Sequence, residues 1–175
     1  MYENIGDVMH ELHFSASDKV ALYREVLPQI GSVVADETDW VANLANTAAV
    51  LKEAFGWFWV GFYLVDTRSD ELVLAPFQGP LACTRIPFGR GVCGQAWAKG
   101  GTMVVKDVDA HPDHIACSSL SRSEIVVPLF SDGLCIGVLD VDSEHPAQFD
   151  ETDALYLGEL AKILEKRFEA SRQAA

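Results

Sequence analysis

The stretch "SEIVVPLFSDGLCIGVLDVD", residues 123–142, places two apolar segments on either side of the turn Ser131-Asp132-Gly133. An Asp-Gly pair between two such segments predicts a β-hairpin. A shift of one residue in the pairing would move every side chain of a strand to the opposite face of the sheet. The register of this hairpin therefore decides which polar side chains of the sheet lie together.

Glu124 begins the first strand, whereas Asp140 and Asp142 continue the apolar face of the second strand, about 7 Å apart by the rise of a strand. A two-residue loop, Asp132-Gly133, would pair position 124 with 141 and put Glu124 on the face opposite Asp140. A three-residue loop would pair 124 with 140 and gather the three acids. Both registers stay open, and so do two interpretations of the acids: the polar end of a pocket, or a strand that emerges into solvent.

Upstream of the hairpin, three further strands are predicted. The segments "GWFWVGFYLVD" and "ELVLAPFQG" flank the polar turn "TRSD", which indicates a second hairpin, and "TMVVKDV" adds one more strand. Helical periodicity predicts two helices over about 17–55, with a break near 31–36, and an amphipathic helix over about 150–172 that begins after Asp150 as N-cap. Helices at both sequence ends and a largely antiparallel sheet over about 57–143 indicate an α+β fold. We expect residues 1–175 to form one domain.

The chain has 175 residues and a net charge of -13, which disfavours nucleic acid and anionic membrane surfaces as partners. Acidic residues interrupt the first twenty positions, where an export signal would need an apolar core. The longest apolar run, at 57–65, is about half the length of a membrane helix. These features predict a soluble cytoplasmic protein, in which the four cysteines form no permanent disulfides and any pairing is catalytic or redox-sensing.

The segment "GRGVCG", residues 89–94, matches the letters of a dinucleotide-binding fingerprint. The match lacks the buried strand that should precede it, because "TRIPF" is short and broken by Pro87, and it lacks the acid that should follow. We therefore interpret these glycines as a loop that leads into a short helix. Cys93 would lie in the first turn of that helix, where free N–H groups favour a thiolate.

Three cysteines, Cys83, Cys93 and Cys117, lie in loop or helix-end segments, whereas Cys135 lies in an apolar strand and is expected in the core. Their placement fits a redox relay or unrelated free thiols.

A zinc site from His111, His114 and Cys117 with Cys93 or Cys83 is a weaker alternative. The sequence has no C-x-x-C pair, and Pro112 prevents a regular helix through the segment. The histidines are more simply explained as loop residues that hydrogen-bond the backbone.

An aromatic stripe precedes the first hairpin turn, because Trp57, Trp59, Gly61 and Tyr63 alternate onto one face. Gly61 would open a slot between Trp59 and Tyr63. Aromatic edges suit a methyl-sulfur group, although core packing explains such a stripe as well.

Together these stretches resemble the free methionine-(R)-sulfoxide reductases, which are built on a single stand-alone GAF domain. The resemblance rests on "WVGFYL", "LACTRIPFGRGVCGQAWA", "VVKDVDAHPDHIAC", "SRSEIVVPLF" and "IGVLDVDSEHPAQFD", which cover most of residues 57–150. One departure is Ser118, directly after Cys117, where the family pattern has an acid.

The resemblance implies reduction of free L-methionine-(R)-sulfoxide without a cofactor or a metal. It implies that Cys117 is the nucleophile and Cys83 the resolving cysteine, with Cys93 as an alternative or relay. It also implies a substrate pocket, lined by Trp59, Tyr63, Glu124, Asp140 and Asp142.

From this chemistry we expect a sulfenic acid, then an intramolecular disulfide that a thioredoxin-type dithiol reduces. Peptide-bound methionine sulfoxide is expected to be excluded. A homodimer through the terminal helices is compatible with the fold. The rival functions are a GAF module that only binds a small ligand and a thiol-based redox sensor.

Overall fold

A computed structural model describes residues 12–113, 115 and 118–174. In chain order its elements are α1 Lys19–Val33, α2 Trp40–Phe55, β1 Trp59–Asp66, β2 Glu71–Gln78, β3 Arg85–Pro87, α3 Gly91–Lys99, β4 Met103–Val105, β5 Ser123–Ser131, β6 Leu134–Ser143 and α4 Glu151–Ala174. Every strand pairing is antiparallel, in the order β3-β2-β1-β6-β5-β4. This architecture confirms the predicted α+β fold, in which helices at both sequence ends flank an antiparallel sheet.

The ends of the helices follow local capping chemistry. Asp150 Oδ1 accepts the N–H of Thr152 at 2.7 Å, and the Asp150 N–H donates to Asp153 Oδ2 at 2.9 Å. This reciprocal pair satisfies N–H groups that the first turn of α4 leaves without helical partners. The predicted N-cap at Asp150 is confirmed. None of the helices in the described part of the chain is both long and apolar enough to cross a membrane.

The β5–β6 hairpin has a register that neither sequence alternative contains. Ser131 pairs with Leu134 across a two-residue turn, in which Asp132 and Gly133 have φ values of 51° and 77°. Positive φ at both central residues is typical of the type I′ turn that two-residue hairpins favour. The pairing then shifts, because Phe130 pairs with Cys135 while Leu129 pairs with Gly137. The residue between these two partners on β6, Ile136, is therefore a β-bulge.

This bulge places Glu124 on the same face as Asp140, whereas the two-residue turn without a bulge would place it on the opposite face. Beyond it Glu124 pairs with Asp142, and Val126 pairs with Asp140. The predicted pairings of position 124 with 141 or 140 are both wrong. The three acids nevertheless lie on one face, as the three-residue alternative predicted, since the side chains of paired residues lie on the same face of a sheet.

The two faces of the sheet belong to two separate cores. One face packs against α1, α2 and α4 through Phe62, Ile125, Leu139 and their neighbours. The opposite face carries Trp59 and Tyr63 and packs against α3. The functional side chains gather on this second face, whose core is the smaller one.

Trp57 does not continue the aromatic stripe of β1, contrary to the sequence-based prediction. It lies before the strand, belongs to the core under the terminal helices and stacks on Phe55 with ring centroids 4.3 Å apart. Alternation holds only within a strand, and β1 begins at Trp59.

The segment "TRIPF" contains a strand that the sequence interpretation rejected because of Pro87. Arg85–Pro87 forms β3 at the edge of the sheet, where Pro87 pairs with Glu71. An edge strand needs hydrogen bonds on one side only, so it tolerates a residue without an N–H.

Candidate active site

A pocket open to solvent, with an empty volume of about 550 Å³, lies on the sheet face that carries α3. It extends over β1, β3, β5 and β6, the N-terminal turn of α3 and two loops. Its lining residues are Phe58, Trp59, Tyr63, Pro80, Leu81, Ala82, Ile86, Gly91, Val92, Cys93, Ile115, Ser118, Ser121, Glu124, Asp140 and Asp142. The structure thus brings together all five residues that were predicted to bind substrate.

Three carboxyl groups form the polar floor of this pocket. Glu124 and Asp140 are each 6% exposed, and Asp142 is half-buried. Their convergence follows from register, since Glu124 pairs with Asp142, and Asp140 lies two residues further along β6 on the same face. β1 is the other neighbour of β6, and it places Trp59 opposite Asp142 and Gly61 opposite Asp140.

Burial and crowding favour the protonated forms of these acids. Burial raises the pKa of Glu124 and the pKa of Asp140 well above the ordinary carboxyl range, and the charges of neighbouring acids add to the effect. Burial raises the pKa of Asp142 only to about 6, because a hydrogen bond with Ser121 stabilises its charged form. These shifts favour the protonated forms of Glu124 and Asp140, whereas Asp142 is mostly ionised at neutral pH.

Ser121 is the functional contact that the sequence interpretation did not identify. It is 6% exposed, and from the loop before β5 it forms a side-chain hydrogen bond with Asp142. The segment "SSLSRS" offers four serines in six positions, and no local signal separates the one that hydrogen-bonds Asp142.

Cys93 lies in the first turn of α3, as predicted, but its environment does not favour a thiolate. The side chain is 3% exposed, and Sγ is 3.8 Å from Glu124 Oε1. Burial and the adjacent Asp140 raise the pKa of the Cys93 thiol well above its usual range. Desolvation and the surrounding acids raise the pKa of this thiol more than the free N–H groups of the helix lower it. The expectation of an activated thiolate at Cys93 is therefore wrong for this state of the protein.

The aromatic wall of the pocket is held by hydrogen bonds and stacking. Trp59 stacks on Phe77 and Tyr63, with ring centroids 5.3 Å and 6.0 Å away, and its Nε1 donates to the Pro80 carbonyl at 3.1 Å. The Tyr63 hydroxyl donates to the carbonyl of Cys83 at 3.0 Å. Both polar bonds end in the loop that carries Cys83, so the wall and this loop are fixed to each other.

The slot predicted at Gly61 is closed. A Cβ atom at this position would lie 2.3 Å from Phe77 Cβ and 2.7 Å from Trp59 Cη2. The absence of a side chain at Gly61 therefore lets Phe77 and Trp59 pack directly against the backbone of β1, and it leaves no gap for a ligand.

Gly61→Ala should lower the free energy of unfolding by about 1–3 kcal/mol, because the new methyl group overpacks Trp59 and Phe77. The matched control is Gly101→Ala, where no atom lies within 4 Å of the added Cβ. Urea denaturation of both variants measures the difference. Equal midpoints for the two variants would contradict the packing described.

The cysteines divide into bonded and free ones. Cys83 is disulfide-bonded, whereas Cys93 and Cys135 are free thiols. Cys135 is half-buried beside the bulge and donates to the Gly137 carbonyl at 3.3 Å, so its prediction as a core residue is wrong. Cys117, the predicted nucleophile, lies outside the described residues.

The weaker zinc hypothesis used the segment that contains Cys117. Of its ligands, His114 also lies outside the described residues, and His111 is a half-buried loop residue. The buried Nδ1 of His111 has no hydrogen-bond partner within the described part of the chain. The expected backbone hydrogen bond of this histidine is therefore not made by Nδ1.

Comparisons with known proteins extend these observations. The GAF domain family matches residues 34–165. The chain is 57% identical over 155 residues to GAF domain-containing protein A of Dictyostelium discoideum, an alignment that covers 89% of this chain and 98% of that protein. It is 44% identical over 150 residues to the free methionine-R-sulfoxide reductase of Escherichia coli, with 85% of this chain and 90% of that protein covered.

A solved structure gives a further match. It is the X-ray structure of free methionine-R-sulfoxide reductase from Neisseria meningitidis in complex with its substrate. It is 95% identical to this chain and has a TM-score of 0.95, with 95% of this chain and 100% of that chain covered.

Proposed function

This chain belongs to the GAF domain family, and we propose that within it the protein reduces free L-methionine-(R)-sulfoxide to L-methionine. The observation that carries the proposal is the pocket, in which buried acids that hold protons face an aromatic wall beside a disulfide-bonded cysteine. The Neisseria meningitidis protein, whose structure is named as a complex with its substrate, is 95% identical to this chain. A module that only binds a ligand would not require these acid and thiol groups.

Substrate recognition depends on the charge of Asp142, whose pKa is raised less than the pKa of Glu124 or Asp140. The ionised Asp142 pairs with the ammonium group of the free amino acid, since opposite charges attract strongly in a partly desolvated site. The Trp59 ring contacts the methyl-sulfinyl group, because sulfur packs favourably at aromatic edges. A peptide-bound residue has no ammonium group and is therefore a poor substrate.

Reduction of the sulfoxide needs a nucleophile and an acid. The Cys117 thiolate attacks the sulfoxide sulfur while a protonated carboxyl group, Glu124 or Asp140, donates its proton to the oxygen. The S–O bond of the substrate and the transient bond between the two sulfur atoms then break, the hydroxyl group passes to Cys117, and methionine leaves. Cys117 is then a sulfenic acid: its sulfur has been oxidised by two electrons, and the substrate sulfur has gained them.

Cys83 completes the cycle. Its thiolate attacks the sulfenic sulfur of Cys117, the hydroxyl group takes up a proton and leaves as water, and a disulfide joins the two residues. Support for Cys83 over Cys93 comes from the burial of Cys93 against Glu124, which keeps that thiol protonated. A thioredoxin-type dithiol then reduces the disulfide, and we place this cycle in the reducing cytoplasm.

The proposal is tested by coupling turnover to thioredoxin, thioredoxin reductase and NADPH. We expect oxidation of NADPH with free L-methionine-(R)-sulfoxide and none with the (S) epimer. The N-acetylated (R) sulfoxide should lose about 100-fold in kcat/KM, because the lost ammonium group leaves the charge of Asp142 without its partner. No turnover of the free (R) epimer would overturn the enzymatic function, and equal rates for the N-acetylated form would overturn the role of Asp142.

A further inference from the structure

We propose that Cys93, Glu124 and Asp140 form a binding site for a divalent transition-metal cation of the Zn²⁺ class, inside the same pocket. Unlike the zinc site considered from the sequence, this site contains no histidine, and the two share only Cys93. It also goes beyond the proposed reduction, which uses no metal. One thiol and two carboxyl groups are a donor set that zinc accepts.

The three donors come from three elements that converge on one point. Cys93 extends from α3, Glu124 from β5 and Asp140 from β6, and one ligand atom of each lies within 4.8 Å of the other two. In a tetrahedral zinc site, bonds of about 2.3 Å to sulfur and about 2.1 Å to oxygen put neighbouring ligand atoms about 3.5 Å apart. The distance of 3.8 Å between Cys93 Sγ and Glu124 Oε1 is close to that separation. Small side-chain rotations would be needed to complete this geometry, and the fourth position would face the pocket that all three residues line.

A second observation points to a missing positive partner. Asp140 is 6% exposed, and its buried Oδ1 accepts no hydrogen bond within the described part of the chain. An unsatisfied buried acceptor costs about 1–3 kcal/mol. None of the ion pairs among the described residues includes Asp140. A cation at this position would satisfy the oxygen.

The other titratable groups that face the three ligands in the pocket, Asp142 and Tyr63, carry no positive charge that would repel a cation. A cation replaces the protons on its ligands, so binding releases protons and becomes tighter as the pH rises.

Since all three ligands line the pocket, a bound cation would act on the proposed reaction. This consequence rests on the proposed function, whereas the binding itself does not. The cation would remove the proton that the sulfoxide oxygen requires. It would also occupy space beside Asp142, so inhibition should be competitive with substrate.

The binding test uses the protein in which Cys83 is disulfide-bonded and Co²⁺ as a spectroscopic substitute for Zn²⁺. Titration should produce a thiolate-to-cobalt charge-transfer band that saturates at one equivalent, and Zn²⁺ should abolish it. Cys93→Ser should lose the band and about 100-fold or more in affinity, since even the partners of metal ligands contribute about 10- to 100-fold. Cys135→Ser, which removes the other described free thiol, is the matched control and should keep the band.

Two further variants test the oxygen ligands without removing the thiol. Asp140→Asn and Glu124→Gln should each weaken cobalt binding about 10-fold or more while the fold, measured by circular dichroism, is retained. No band in the wild-type protein overturns the site. A band that persists in Cys93→Ser, or unchanged affinity in both carboxamide variants, also overturns it. Loss of reductase activity has no bearing on these readouts.

Discussion

Replacing Cys117 by serine is expected to lower kcat/KM for free methionine-(R)-sulfoxide by at least about 10³-fold. A hydroxyl group does not form the thiolate nucleophile or the sulfenic acid on which the proposed cycle depends, and loss of a nucleophile removes most of a rate enhancement. The thioredoxin-coupled assay measures the loss. The matched control, Cys135→Ser, removes a thiol that lies outside the pocket and should retain the wild-type rate. Undiminished turnover by Cys117→Ser would contradict its role as nucleophile.

Cys83→Ser distinguishes the resolving thiol from the nucleophile. In the absence of reductant this variant should form one equivalent of methionine as wild type does, because the attack on the sulfoxide precedes disulfide formation. Its steady-state rate with thioredoxin should collapse, since no disulfide forms between residues 83 and 117. Quenched-flow measurement of methionine separates the two phases. A wild-type steady state would transfer the resolving role to Cys93.

The second large effect is expected for Glu124→Gln, with a loss in kcat/KM of about 10²–10⁴-fold. A glutamine keeps the shape of the side chain but has no acidic proton, and general acid catalysis contributes about this much to a rate. Wild type needs a thiolate and a protonated carboxyl group together, so its activity falls at both low and high pH. Burial raises the pKa of Glu124, and activity is lost as the pH rises through that raised pKa. The glutamine variant should lack this alkaline decline.

Asp142→Asn provides the contrast. Asp142 is mostly ionised at neutral pH and is proposed to bind the ammonium group, so its loss should raise KM more than it lowers kcat. A pH profile of kcat/KM for both variants, together with the split between KM and kcat, separates the two roles. An unchanged alkaline decline in Glu124→Gln would assign the proton to Asp140 instead.

Much of the fold could be predicted because its signals are local. Two polar turns, alternating β-branched strands and the cap at Asp150 indicate the strands and helices that the structure contains. The sequence does not predict β3, because proline usually argues against a strand and only the edge position makes Pro87 acceptable. Alternation places Trp57 on the wrong face, because β1 begins only at Trp59.

The sequence alone determined the residue types of the site and, through the resemblance, their grouping into one pocket. Tertiary structure decided what those residues do electrostatically. The bulge at Ile136 depends on contacts between residues far apart in the sequence. Next to it Gly137 lies against Tyr63, and a Cβ at Gly137 would come 2.5 Å from the Tyr63 carbonyl oxygen. That bulge brings Glu124 onto the face of Asp140 and Asp142. Burial and mutual repulsion follow only from that proximity, and they raise the pKa of Cys93, Glu124 and Asp140 because a desolvated charge is costly.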